Sequence, residues 1–116
     1  MLGQERWPNL QIFLSQAVPN ALMADTKKLP GQLREKLSAV DFPTQLNIAR
    51  ECWDFLTYFK DRHDDWNFLR DGFGVLGKPP HDNRGKGHTA LARMRILYSI
   101  LAGTIRVQEP NWKPTS

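Results

Sequence analysis

Two His-Asp dipeptides, His63-Asp64 and His81-Asp82, are the residues of this chain best suited to chemistry. Imidazole and carboxylate ligate divalent metals, and a bound metal can generate hydroxide for attack on a phosphoester. In a helical metal hydrolase such a pair needs a second imidazole upstream and a carboxylate far downstream. No histidine precedes His63, and no aspartate follows Asp82. Asp61, Asp64, Asp65 and Asp71 crowd around His63, and Asp61 and Asp65 would fall one helical turn apart. The same residues fit solvated charges at a helix boundary, with Asp64 or Asp65 as the cap. No metal and no cofactor is expected.

Three spacings come near those of known chemistry and depart from them. The order His, His-Asp, Asp belongs to HD-type phosphohydrolases, and this chain departs from it at one end or the other whichever pair is chosen. Arg84 and His88 stand closer together than the Arg and His of helical HEPN-type endoribonucleases, and Gly85 and Gly87 oppose a helix across them. Gly85-Lys86 superficially matches a phosphate loop, but Pro80 and Gly87 occupy the places where that loop needs Gly and Ser or Thr. Cys52, flanked by Glu51 and Trp53, reads as a small core residue rather than a nucleophile.

Charge is the stronger signal. Residues 1–71 carry nine Lys/Arg against ten Asp/Glu, and residues 72–116 carry seven against two. The C-terminal part is thus net +5 in a chain of net +4. Within it, Lys78, His81, Arg84, Lys86 and His88 lie on a stretch rich in glycine and proline, followed by Arg93 and Arg95. Cations on a glycine-rich loop approach a phosphate backbone closely. A helix beginning near Thr89 would add free N–H groups and a positive dipole end. The same composition also suits a solvated loop that only keeps the chain soluble.

Helices must position these groups. Pro8 suits the first position of a helix carrying Leu10, Phe13, Leu14, Ala17, Val18, Ala21 and Leu22, with a kink at Pro19. Pro30 opens a shorter helix with Leu33, Leu37 and Val40 inward. Asp41 and Pro43 mark the cap and first turn of a third helix running to about Lys60. Leu46, Ala49, Trp53 and Leu56 form its expected buried face, widened by Ile48, Cys52, Phe55 and Phe59. A short fourth helix would carry Trp66, Phe68, Leu69 and Phe73, and the last would begin at Thr89 with Leu91, Met94, Leu97, Tyr98, Leu101 and Ile105 inward. Arg95, Ser99, Ala102 and Arg106 share another face of that helix, where Ser99 and Gly103 are small enough to permit a close helix neighbour.

The expected architecture is all-α, an irregular four- to five-helix bundle in a single domain over residues 1–116. It has a loose lead-in (1–7), one long Gly/Pro-rich basic loop (72–88) and an extended tail (108–116). The 116 residues suffice for one core without staples. The single cysteine rules out an internal disulfide and fits a reducing, cytoplasmic setting. No apolar run reaches membrane-spanning length. Residues 10–24 lack the long apolar centre of a signal peptide. The functional expectation is a non-enzymatic accessory subunit that contacts nucleic-acid backbone through Lys78, His81, Arg84, Lys86, His88, Arg93 and Arg95 within a larger nucleoprotein assembly. A small subunit of a CRISPR-type effector, or a phage or plasmid protein, would be of this kind. One alternative is an interaction module, inhibitor or adaptor, that docks on an acidic partner surface, with Trp7 and Trp112 as terminal aromatic anchors; packing of both onto the domain is the competing reading. Another is a small metal-dependent nuclease or phosphohydrolase using His63, Asp64, His81 and Asp82.

Overall fold

Proline and aspartate at the expected places start the first three helices. The computed structural model describes residues 7–17, 27–60 and 86–115. Its helices are α1 (Pro8–Ala17), α2 (Leu29–Leu37), α3 (Phe42–Phe59) and α4 (Lys86–Gln108), and no strand occurs among the described residues. Pro8 opens α1, where a missing N–H costs nothing. Pro30 lies in the first turn of α2. At α3 the Asp41 carboxylate accepts from the Thr44 N–H (3.3 Å) and from the Thr44 hydroxyl (2.7 Å), satisfying one of the free donors of the first turn. Those two bonds hold the Asp41 carboxyl below its ordinary range, the hydroxyl contributing most.

The helices meet through one apolar core. Leu10, Phe13 and Leu14 of α1, and Leu29, Leu33 and Leu37 of α2, enter it at helical spacing. Ile48, Ala49, Cys52, Phe55 and Phe59 enter from α3, and Met94, Leu97, Ile100, Leu101 and Ile105 from α4. The α3–α4 contact is the most extensive; α1 packs on the other side of α3, and α2 packs on α4. The spatial order is therefore α1, α3, α4, α2, with the two long helices central.

Gln45 binds the α2–α3 corner. It is buried, and its Nε2 donates to the carbonyls of Leu37 (3.0 Å) and Val40 (2.9 Å). The Leu37 carbonyl, at the end of α2, also accepts from the Val40 N–H (3.0 Å), and Val40 lies in the corner just before the Asp41 cap. A polar residue thus sits inside because it completes a backbone account.

Several expectations are corrected. The lead-in is not loose at Trp7, which is 2% exposed and rings with Phe55, Tyr58 and Phe59 at centroid distances of 5.0, 5.9 and 5.8 Å. The last helix begins at Lys86, so Lys86, Gly87 and His88 are helical and Thr89 lies inside the helix rather than capping it. Trp53 is 38% exposed, and Leu46 and Leu56 are half-buried. The buried face of α3 is centred on Cys52 instead. Ala102 is buried, whereas Gly103 is exposed with nothing within 4 Å of where a Cβ would stand; among the described residues no helix approaches there. The tail turns back rather than extending: Glu109 N–H donates to Ile105, and Trp112 N–H to Glu109. The kink at Pro19, the short helix around Trp66 and the loop from 72 to 85 lie outside the described residues.

Candidate nucleic-acid interface

Helical register lines up the polar residues of α4. Arg95, Ser99 and Arg106 are all exposed and recur at spacings that keep them on one crest. From Arg95 to Arg106 that crest runs roughly 16 Å along the axis. His88 holds a position on the same line of backbone register, one heptad before Arg95. The arginines are aligned because the opposite face of α4 is claimed by Met94, Leu97, Leu101 and Ile105.

Beside the crest, α2 contributes a cation that sequence reasoning did not select. Pro30 and Arg34 of α2 and Arg95, Ile96, Ser99 and Ile100 of α4 line a shallow cleft of about 360 Å³. Among the described residues its floor is apolar, its two charged groups are both guanidinium, and no carboxylate lines it. Neither arginine is ion-paired among the described residues. Two unpaired guanidinium groups in one concavity suit a phosphate, which takes bidentate N–H donors. Arg34 escaped notice because its partner lies on a helix far along the chain.

On the other side of the crest stand aromatic groups. Trp53 of α3 lies against Tyr98 of α4 with ring centroids 5.2 Å apart and planes inclined by 44°. Partial burial pushes the Tyr98 phenol up, and Arg106 pulls it part of the way back. Arg106 donates from Nε to the Trp112 carbonyl (3.2 Å) and lies 5.7 Å from the centroid of the Trp112 ring, a cation–π distance.

The carboxylates of α3 face elsewhere. Glu51 accepts from the Asn9 side chain (2.6 Å) and the Leu10 N–H (3.0 Å), and Asp54 accepts from the Trp7 indole (2.8 Å). Asp54 is engaged by the residue that precedes α1, and Glu51 by α1 itself. Among the described residues the charged groups of the α2–α4 cleft are both cationic.

Of the sequence-selected residues, Arg95 is exposed on the crest, and Arg93 is half-buried with an interaction partner in the protein. Lys86 and His88 belong to the first turn of α4. Lys78, His81 and Arg84 lie outside the described residues, as do His63, Asp64 and Asp82. Trp7 is enclosed in the core and offers no surface to a partner; Trp112 is half-buried against Arg106. For both, packing onto the domain is what the structure has. Burial pushes the Cys52 thiol far up, and its Sγ contacts the Met94 carbonyl at 3.5 Å, so it stays protonated and inert. Among the described residues no group of three His, Cys, Asp or Glu is placed to hold a metal ion, and no helix is long and apolar enough to cross a membrane.

A second hollow, of about 440 Å³, lies between α1 and the α2–α3 corner, with Ile12, Phe13, Val40 and Ile48 among its walls. Its Asp41 serves as a helix cap and its Asn9 binds Glu51, which leaves Gln16, Lys36 and Thr44 as its remaining polar side chains. No family model, no curated protein and no solved structure matches this chain.

Proposed function

We propose that this protein is a non-enzymatic helical accessory subunit that contacts nucleic-acid backbone within a larger nucleoprotein assembly. The observation that carries the reading is the convergence of Arg34 and Arg95 on one cleft that no carboxylate lines among the described residues. Arg106 extends the same cationic crest by three helical turns. The net charge of +5 over residues 72–116 supplies the long-range attraction. Lys78, His81, Arg84, Lys86 and His88 lead directly into the crest along the chain, and in this reading they add further phosphate contacts. Backbone contacts of this kind position a strand without reading its sequence, which suits a subunit whose target is chosen by another component.

The test is binding of fluorescent single- and double-stranded DNA and RNA, followed by anisotropy at about 50 mM and about 200 mM salt. Wild type should bind at least one of the four and weaken steeply with salt. Arg34→Glu/Arg95→Glu should abolish binding, and Arg84→Glu/Lys86→Glu should weaken it. Lys36→Glu removes the same kind of charge from the opposite side of α2 and should bind like wild type. Absence of binding to all four strands at low salt would overturn the reading. It would turn attention to an acidic protein surface as the partner of these arginines.

A further inference from the structure

The nucleic-acid reading leaves one surface feature of α3 unused. Trp53 is 38% exposed, although a tryptophan on the central helix of a small bundle has an apolar core available on its own helix. One side of its indole is covered by Tyr98. Arg50 is exposed one turn before it on α3, and Arg106 of α4 is near enough for its charge to act on the Tyr98 phenol. The two acidic groups of the same stretch, Glu51 and Asp54, are engaged by α1 and by the residue that precedes it. An aromatic pair is therefore displayed beside the crest that carries Arg95, with the exposed Arg50 one turn away on α3.

We propose that Trp53, backed by Tyr98, is a stacking platform for unpaired bases, so that the ligand of the basic face is a single strand. This rests on the nucleic-acid reading above and narrows its substrate class. A phosphate backbone following Arg95, Ser99 and Arg106 along the α4 crest has Arg34 on one flank and the Trp53–Tyr98 pair on the other. A nucleotide projects its base sideways from its phosphate, so bases turned toward α3 meet the indole face. In a duplex each base face is already covered by its neighbours, and only the outer edges are offered. A π-face that accepts any base and cations that track the backbone together constitute strand binding without sequence preference. Tyr98 fixes the indole before the ligand arrives, which lowers the ordering cost of stacking.

The experiment uses mixed-sequence fluorescent DNA and RNA, each as single strand and as duplex, with wild type, Trp53→Phe, Trp53→Leu and Trp53→Ala. Wild type should favour the single strand. Trp53→Ala and Trp53→Leu should weaken single-strand binding by roughly fivefold or more, the range of one lost base stack. Trp53→Phe keeps a ring and should retain most of the affinity. The Trp53→Leu variant keeps apolar bulk against Tyr98, so its loss separates stacking from simple damage to the fold; a thermal melt checks each variant. Saturation with unlabelled strand should quench tryptophan emission in wild type and do so less in Trp53→Phe. Equal or tighter binding of duplex, or a Trp53→Leu variant that binds single strands like wild type, overturns the platform while leaving the phosphate-contact reading intact. Failure of wild type to bind any strand removes both.

Discussion

Trp7 and Asp54 are 47 residues apart in sequence and joined by a 2.8 Å hydrogen bond from indole to carboxylate. The bond fastens the start of α1 to α3, and the indole body fills the space between Phe55, Tyr58 and Phe59. Trp7→Phe should therefore lose about 1.5–3 kcal/mol, the range for a hydrogen bond to a charged group. Trp7→Ala should lose about 3–5 kcal/mol, because the cavity adds to the lost burial. Asp54→Asn retains an acceptor and should cost less than Trp7→Phe. Urea denaturation measures all three; an unchanged midpoint for Trp7→Ala would mean that the N-terminal segment does not dock in solution.

Gln45 should prove as important as a large apolar residue. Gln45→Leu keeps the volume but strips the Gln45 amide from the Val40 carbonyl and leaves the Leu37 carbonyl with only the Val40 N–H. Buried carbonyls stripped of a partner cost about 1–3 kcal/mol, so the variant should melt lower despite its greater hydrophobicity. Gln45→Glu replaces the donor with an acceptor and should be worse still near neutral pH. If Gln45→Leu melts higher than wild type, those carbonyls find water and the corner is open.

Much of this was legible in the residues, and the failures have physical causes. Pro8, Pro30 and Asp41 announce helix starts because their backbone chemistry is local, and the structure has helices at all three. Most of the side chains that pack the core on α1, α2 and α4 also follow from spacing, although Val40 and Tyr98 are only half-buried and Leu29, Ile100 and Ala102 join the buried residues unannounced; α3 departs further. There Leu46, Ile48, Ala49, Cys52, Trp53, Phe55, Leu56 and Phe59 surround most of the helix, so periodicity alone does not select the face that neighbours cover. Glu51 and Asp54 carried the missing signal: both are drawn to α1 by Asn9, Leu10 and Trp7, and this fixes the rotation of α3 and leaves Trp53 outside. Gln45 was illegible because burial of a glutamine depends on which carbonyls need it. Arg34 joined the candidate site only when α2 packed on α4, a relation between residues far apart in sequence. At Lys86, two glycines argued for a loop, yet the helix includes Gly87, since the penalty of a single glycine is small beside the packing of the long apolar face that follows.

Gly103 offers a prediction of the opposite sign. It lies within α4, is exposed, and has open space where a Cβ would stand. Alanine there touches nothing and narrows the unfolded ensemble, so Gly103→Ala should stabilise by about 1 kcal/mol. Nucleic-acid binding should be unchanged, since the crest residues are untouched. A destabilised Gly103→Ala would reveal a neighbour at this position, such as a second molecule packed against α4.

The tail supplies the last prediction, because Arg106 is both a crest residue and a brace. Its Nε holds the Trp112 carbonyl and its guanidinium faces the Trp112 ring, so the tail restrains the arginine that the proposed strand would meet. Trp112→Ala frees that guanidinium and removes part of the cover over the end of α4. Loss of a half-buried aromatic should lower stability by about 1–3 kcal/mol. Affinity for nucleic acid should fall only slightly, by about threefold or less, since a freed Arg106 keeps its charge and loses only its pre-organisation. Arg106→Glu should instead weaken binding by about tenfold or more and flatten the salt dependence by about one phosphate contact. An anchor that grips a protein partner behaves differently: there Trp112→Ala would be the more damaging change. Anisotropy and thermal melts on the two variants, side by side, therefore separate a tail that braces the cationic crest from a tail that is itself the docking element.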